Sequence, residues 1–321
     1  MPLHVHTQNR PTAPVVPAIL VVGGANLDVK CAVSNAFHIG TSNPGRVWQV
    51  DGGVGRNIVE NLAALGARTR FLGPFGDDAA GPQLKAHLEA RGVDTRFCPT
   101  LAGQQTGTYV AVLDDHGDLA VAVSDMRIMD AFDASVIAAQ AGAFADVDVV
   151  CLDANVRLDA IAEVLAFAAR SGARVVLEPV SVAKAARVAA SGWCDRIHTV
   201  TPNKDELAAM SGRSVESTAD IRAAADVLLQ MGVQRVVVTL GAQGVYCKSV
   251  ADAHDSGIWM EAQTVSVTDV TGAGDAFTAG LVYGLAANWR DEDAVTLGQT
   301  IATELVQCAD SVLRGNWRWD K

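Results

Sequence analysis

Asp275 closes the run Asp269–Val270–Thr271–Gly272–Ala273–Gly274–Asp275, at a point where a strand-like stretch turns into a helical one. Glycines at 272 and 274 let the backbone amides of residues 272–275 converge on one point, an anion hole at a helix N-terminus. A carboxylate at the rim of such a hole is badly placed to bind the anion. It is well placed to take a proton from a hydroxyl attacking a phosphoryl group held there. The plainer reading is a capping aspartate in a tight turn.

Three other stretches have the residue types such a transfer needs. Asn203 and Glu206, in TPNKDEL, stand three apart at a strand-to-helix junction, where they can hold a hydrated magnesium ion beside phosphates or simply cap the helix. Thr239, Gly241 and Gly244, in VTLGAQG, mark another strand end, suited to nucleotide phosphates or to an ordinary turn. Gly52, Gly53 and Asn57, in DGGVGRN, precede a helix. There a polyol can lie against the backbone with Asn57 on a hydroxyl, or the loop simply needs positive φ.

Other chemistries are excluded. No G-x-x-x-x-G-K-[ST] run is present, and GGVGRN follows a polar stretch rather than the first buried strand, unlike a dinucleotide fingerprint. Serine hydrolase and zinc protease signatures are absent. A net charge of -11 argues against nucleic acid or an anionic membrane as partner. The six cysteines are far apart and read as reduced, buried thiols of a cytoplasmic protein. No apolar run approaches a membrane span. Residues 1–17 read as a flexible tail, without the apolar core of a signal peptide.

The elements that must position these residues follow from periodicity. From about residue 148 onward, apolar strands alternate with helices, which implies a mostly parallel sheet covered on both faces. Two segments, about 29–50 and 106–125, alternate apolar and polar residues instead and are expected to form a small projecting sheet. RNIVENLAALGA carries Ile58, Leu62 and Leu65 at helical spacing with Gly66 as stop.

In this order the motifs resemble those of the PfkB, or ribokinase-like, sugar kinase family: GGANLD as opening strand and loop, GGVGRN as substrate signature, TPNKDE as N-x-x-E motif and DVTGAGDAF as C-terminal signature. The resemblance covers nearly the whole chain from about residue 18. It implies a ribokinase-like three-layer α/β/α domain with a mostly parallel central sheet and a small β-sheet lid. It further implies ATP and Mg2+ as cofactors, K+ in many members, and a homodimer formed through the lid. By the same resemblance, Asp275 is the catalytic base and Gly272, Ala273 and Gly274 the anion hole. Asn26, Asp28, Gly52, Gly53 and Asn57 bind the sugar. Asn203 and Glu206 serve magnesium and phosphate, Thr239, Gly241 and Gly244 serve ATP, and Asp269 begins the monovalent-cation segment.

SNPG (Ser42–Gly45), GGVGRN, VSDM and EPVS are similar to the branch of the family that phosphorylates free pseudouridine on its 5'-hydroxyl. Ribokinases carry GGKGAN where this chain has Val54 and Arg56. Ser42, Asn43, Thr108 and Asp125 are then the expected base contacts, with Asp125 accepting the extra ring N–H of a C-linked uracil or, failing that, facing solvent. Glu178 stands where an aspartate is expected. The other expectations are a kinase for ribose, adenosine or inosine/guanosine, and a catalytically inactive nucleoside-binding protein.

Overall fold

The computed structural model of the chain describes residues 16–251, 257–308, 310–315 and 317; most of the expected tail lies outside them. The chain enters through β1 (Ala18–Val22) and leaves for β2 (Asn26–Val33) and β3 (Gly45–Gly52). It returns by α1 (Val54–Ala64) to β4 (Arg68–Leu72), β5 (Phe75–Gly76), α2 (Ala80–Ala90) and β6 (Thr100–Leu101). A hairpin of β7 (Gly107–Leu113) and β8 (Leu119–Asp125) follows, then α3 (Ile128–Ala131) and α4 (Ala134–Ala138). Alternation then sets in: β9 (Val149–Asp153), α5 (Leu158–Ser171), β10 (Arg174–Glu178), α6 (Val182–Ala189), β11 (Thr199–Val200), α7 (Lys204–Ser211) and α8 (Thr218–Gln230). The last elements are β12 (Arg235–Thr239), β13 (Val245–Ser249), β14 (Ile258–Met260), α9 (Ala273–Ala286) and α10 (Asp291–Leu305).

The large sheet runs β14-β13-β12-β11-β10-β9-β1-β4. It is parallel from β4 to β12, with β13 and β14 added antiparallel at the far edge. Its strands are apolar on both faces. Ile19, Val21, Val149 and Cys151 pack with Ile58 and Leu62 of α1 and with Phe277 and Leu281 of α9. Leu20, Val22, Val150 and Leu152 pack with α5, α6 and α8 on the other side. That is the three-layer arrangement the alternating pattern requires. β1 lies between β4 and β9, so the chain order reverses beside it. Open α/β sheets bind ligands outside the carboxyl ends of the strands at such a switch point.

The second sheet, β3-β2-β7-β8, joins the two separated alternating segments. β2 begins at Asn26, directly after Gly23–Ala25, where the sequence suggested a longer loop. Register puts Asp28 beside Tyr109, and Tyr109 beside Ser124, in one row. The next row, Val29–Val110–Val123, has the opposite parity and faces away.

Beneath the Gly52–Gly53 loop lies a buried ionic network. Arg56 and Glu60, one helical turn apart, pair at 2.7 Å with side chains 3% and 1% exposed. Arg56 also reaches the carbonyl of Asp51, and Glu60 accepts from Arg91 at 2.8 Å and contacts His87 at 3.1 Å. Arg91 continues to the carbonyl of Leu313. The surrounding cations hold Glu60 below the usual carboxylate range although burial alone would push it up. Glu60→Ala leaves the Arg56 guanidinium buried without its anion. Loss of about 3–5 kcal/mol in denaturant unfolding is expected, with Glu60→Gln intermediate.

Candidate active site

Much of the site follows the ends of strands of the large sheet. Gly24 and Ala25 follow β1, Asn155 follows β9, Val180 follows β10, Asn203 follows β11 and Thr239 ends β12. With the second sheet as roof, they enclose a cavity of about 420 Å3 and a neighbouring one of about 190 Å3.

The larger cavity has its polar end at Asn26, Asp28, Gly53 and Asn57. Gly53 caps α1 at φ 101°, and a Cβ there would stand 2.8 Å from the Cα of Ala25, so glycine is required. Gly52 lies behind: the Asp28 carboxylate packs against its Cα side, leaving no room for a side chain. Asn26 donates to Asp28 at 2.6 Å. Burial nevertheless pushes the Asp28 carboxyl up, against that bond and the nearby Lys30. Tyr109, Ser124, Asn155 and Lys184 line the rest of the cavity, together with Met126, Ile128 and Met129.

The smaller cavity holds Asp275, Glu178, Glu206, Asn203, Thr239 and Gly274. Asn57 joins the two cavities, its amide donating to Asp275 Oδ2 at 2.6 Å. Desolvation lifts Asp275 to about 7, outweighing the Asn57 bond; nearby Asp153 adds to the rise. A free aspartate is a feeble base at neutral pH, but this one is poised near it. Glu178 is pushed to about 8 by burial, against donation from Thr201 and Thr278, both at 2.7 Å. It therefore carries a proton at neutrality. Asp153 is also fully buried and raised by desolvation, but accepts the amides of Gly24, Gly55 and Asn155.

The anion hole is narrower than expected. Ala273 N–H donates back to the carbonyl of Val270, and Ala276 N–H to that of Gly272. Among the described residues no acceptor lies on the amides of Gly274 and Asp275, which open toward the smaller cavity at the start of α9. The two glycines also differ. Gly272 has φ 80°, and a Cβ on it would meet Ser311 at 2.7 Å. A Cβ on Gly274 would meet nothing within 4 Å, so the packing of the chain does not demand glycine there.

Asn203 and Glu206 form a reciprocal capping box on α7: Asn203 Oδ1 accepts from the amides of Asp205 and Glu206, and Glu206 Oε2 accepts from that of Asn203. The capping reading therefore holds, and it leaves Glu206 Oε1 facing the cavity. Thr239, Gly241 and Gly244 border another cavity of about 190 Å3, which adjoins an apolar one of about 380 Å3 reaching Val265, Val267 and Val270. Asp269 Oδ1 accepts from Thr271 N–H, a bond that holds its carboxyl below the usual range, helped by Lys30 of β2.

Four expected contacts lie elsewhere. Thr108 and Asp125 are paired on the face of the second sheet turned away from the cavity. Thr108 Oγ1 donates to Thr106 O, and the Asp125 carboxylate is held by Arg127 at 2.6 Å. The cavity is lined by their neighbours Tyr109 and Ser124. Asn43 braces its own loop through His38 and Thr41, and neither it nor Ser42 borders the cavity. Tyr109, Asn155, Val180 and Lys184 were missed. The two-residue period of β7 was the one signal that could have exchanged Thr108 for Tyr109.

A cavity with Asn26, Asp28 and Asn57 at one end, and a smaller pocket open to the amides of Gly274 and Asp275, are joined through the Asn57–Asp275 bond on a ribokinase-like sheet, an arrangement that suits a phosphotransferase with an alcohol acceptor. The chain belongs to the pfkB family of carbohydrate kinases, whose profile matches residues 17–314. It is 32% identical over 294 residues to the pseudouridine kinase of Escherichia coli, covering 90% of each chain. To the guanosine-inosine kinase of Exiguobacterium acetylicum it is 25% identical, covering 92% of this chain and 96% of that one. Among solved structures, a putative sugar kinase from Clostridium perfringens superposes with TM-score 0.82 at 28% identity, over 94% of this chain and 92% of the other.

An aspartate that acts as general base must be ionised to accept a proton. As Asp275 is raised to about 7, kcat/KM is expected to fall about tenfold per pH unit below that value and to level off above it. A pH–rate profile checks this; a flat profile down to pH 5 would refute the assignment. Gly274→Ala is expected to keep the parent melting temperature while losing on the order of 10²-fold in kcat. Gly272→Ala is expected to lower the melting temperature itself, by several degrees, because it strains the backbone and displaces Ser311.

Proposed function

We propose that the protein transfers the γ-phosphoryl group of ATP to the 5'-hydroxyl of free pseudouridine, giving pseudouridine 5'-phosphate and ADP. The observation that carries this is the reach of the larger cavity. Its hydroxyl-binding end at Asp28 and Asn57 occupies one side, and the remainder extends under Tyr109 and Ser124 to Lys184. At about 420 Å3 it falls within the ~300–1,000 Å3 of ordinary small-molecule pockets and has room for a base beside the pentose. The 32% identity to pseudouridine kinase favours a C-linked uracil as that base.

In this reading Asp28 and Asn57 hold sugar hydroxyls and aim the 5'-oxygen at the smaller cavity. Asp275 accepts the proton as the new O–P bond forms, and the amides of Gly274 and Asp275 take up charge on the phosphoryl oxygens. The apolar cavity at Val265–Val270 suits the purine of ATP, with Thr239, Gly241 and Gly244 beside its phosphates. Among the described residues no cluster of three or more side chains holds a metal alone, which suits an ion bound mostly by phosphates and water. Magnesium bound with ATP neutralises phosphate charge, and Glu206 Oε1 is the group that would hold it. The ionised Asp269 loop would hold potassium. The second sheet acts as a lid. Its outward face, with Val47, Val121 and Val123 exposed, packs on a second copy of the chain. The protein works in the cytoplasm; no described helix is long and apolar enough to cross a membrane.

The test is ATP-dependent phosphorylation of pseudouridine, uridine, adenosine, inosine and ribose side by side, with magnesium and with potassium or sodium. Preference for pseudouridine is expected. Preference for ribose or another nucleoside overturns the substrate assignment and leaves the kinase. Asp275→Asn is expected to lose 10²- to 10⁴-fold in turnover, roughly, while still binding nucleoside; near-normal turnover would remove Asp275 from the role of base.

A further inference from the structure

Val180 is a β-branched residue at φ 69°, in the left-handed region that such residues avoid. Ser181 N–H donates to the carbonyl of Pro179 at 2.8 Å, so Val180 is the centre of a three-residue turn of the strained kind. Glycine would adopt this conformation freely, yet the chain places a branched apolar side chain there. Such outliers persist where the surroundings over-determine them, and they gather at functional sites.

Its position gives the reason. Among the described residues, two border both the nucleoside-sized cavity and the pocket of Asp275: Val54, at the first turn of α1, and Val180. Both are half-buried and lean on opposite halves of the core, Val54 on the α1/α9 side and Val180 on the α5/α6 side. Beyond them lie Asp275 and Glu178, both raised by loss of water.

We propose that Val54 and Val180 form an apolar neck that admits the CH2–OH arm of the acceptor and keeps bulk water from Asp275. Two oxygen nucleophiles compete for the same phosphoryl group. With the acceptor, its oxygen bonds to the γ-phosphorus, the bond from that phosphorus to the β-phosphate oxygen breaks, the proton passes to Asp275 and ADP leaves. With water, the same bonds change and inorganic phosphate is released instead. Water is smaller and far more abundant, so discrimination must come from access. Val180 thus acts as a positioning residue through the solvent it excludes. The proposal rests on the kinase reading above, but it concerns the ratio of the two outcomes rather than the identity of the acceptor.

The measurement is ADP released against phosphorylated acceptor formed, and ADP released with no acceptor, for the parent, Val180→Gly, Val180→Ala and Val54→Ala. The parent is expected to be coupled close to one to one and nearly silent without acceptor. Val180→Gly, which relieves the backbone strain, is expected to melt no lower than the parent. It should release ADP without acceptor roughly tenfold faster or more, and lose coupling. A folded Val180→Gly with parental coupling and parental acceptor-free ADP release overturns the neck. If that variant does not fold, Val180→Ala and Val54→Ala have the same readout, and parental coupling in both overturns it. A parent that phosphorylates none of the acceptors fails the function proposed above. The neck is then still judged by acceptor-free ADP release across the variants.

Discussion

The structure is organised around a cost: carboxyl groups are buried or half-buried at the carboxyl ends of the strands with no basic side chain bonded to them. Desolvation of a carboxylate is among the most expensive events in folding unless donors compensate. The protein compensates unequally. Asp153 receives three backbone amides and so pins together the ends of β1, α1 and β9. Glu178 receives two threonine hydroxyls at 2.7 Å and, at 3.3 Å, the amide of Val180. Asp275 receives the side-chain amide of Asn57, and no other donor to it is seen among the described residues. The least compensated carboxylate is the one to which the proposed transfer assigns the proton, and its neighbours keep it in place while leaving its charge poised near neutrality.

Asn57 therefore does more than line the larger cavity. It belongs to α1, whose start is fixed by Gly53 against Ala25 and whose next turn is fixed by Arg56 and Glu60. A helix held this firmly sets the separation between the larger cavity and Asp275.

Much of this was legible in the sequence. The fold followed from apolar strands alternating with helices, and Asp275, Asn57 and Gly53 from glycine-flanked polar residues at strand ends. The failures are local and physical. Thr108 and Asp125 belong to the right strands but to the wrong face, and a two-residue period makes a shift of one position invert the side. Asp125 is also satisfied by Arg127 two residues on, a pairing that local sequence does not announce as preferred over a ligand. Val180 was out of reach because nothing in Glu-Pro-Val-Ser marks a valine for positive φ. Asn155 and Lys184 come from separate βα units, and only the parallel order of β1, β9 and β10 brings them together.

The packing of Ser311 and Leu313 bears on the order in which the protein is made. Asn61 of α1 accepts from the amide of Leu313 and donates to the carbonyl of Ser311. Ser311 in turn lies against Gly272. The Gly52–Gly53 loop is synthesised early and Asp275 late, and the segment that braces both emerges later still. Since chains fold progressively as they leave the ribosome, a nascent chain can complete most of the large sheet while the pocket of Asp275 still lacks its backing. The site closes only when translation has passed Leu313.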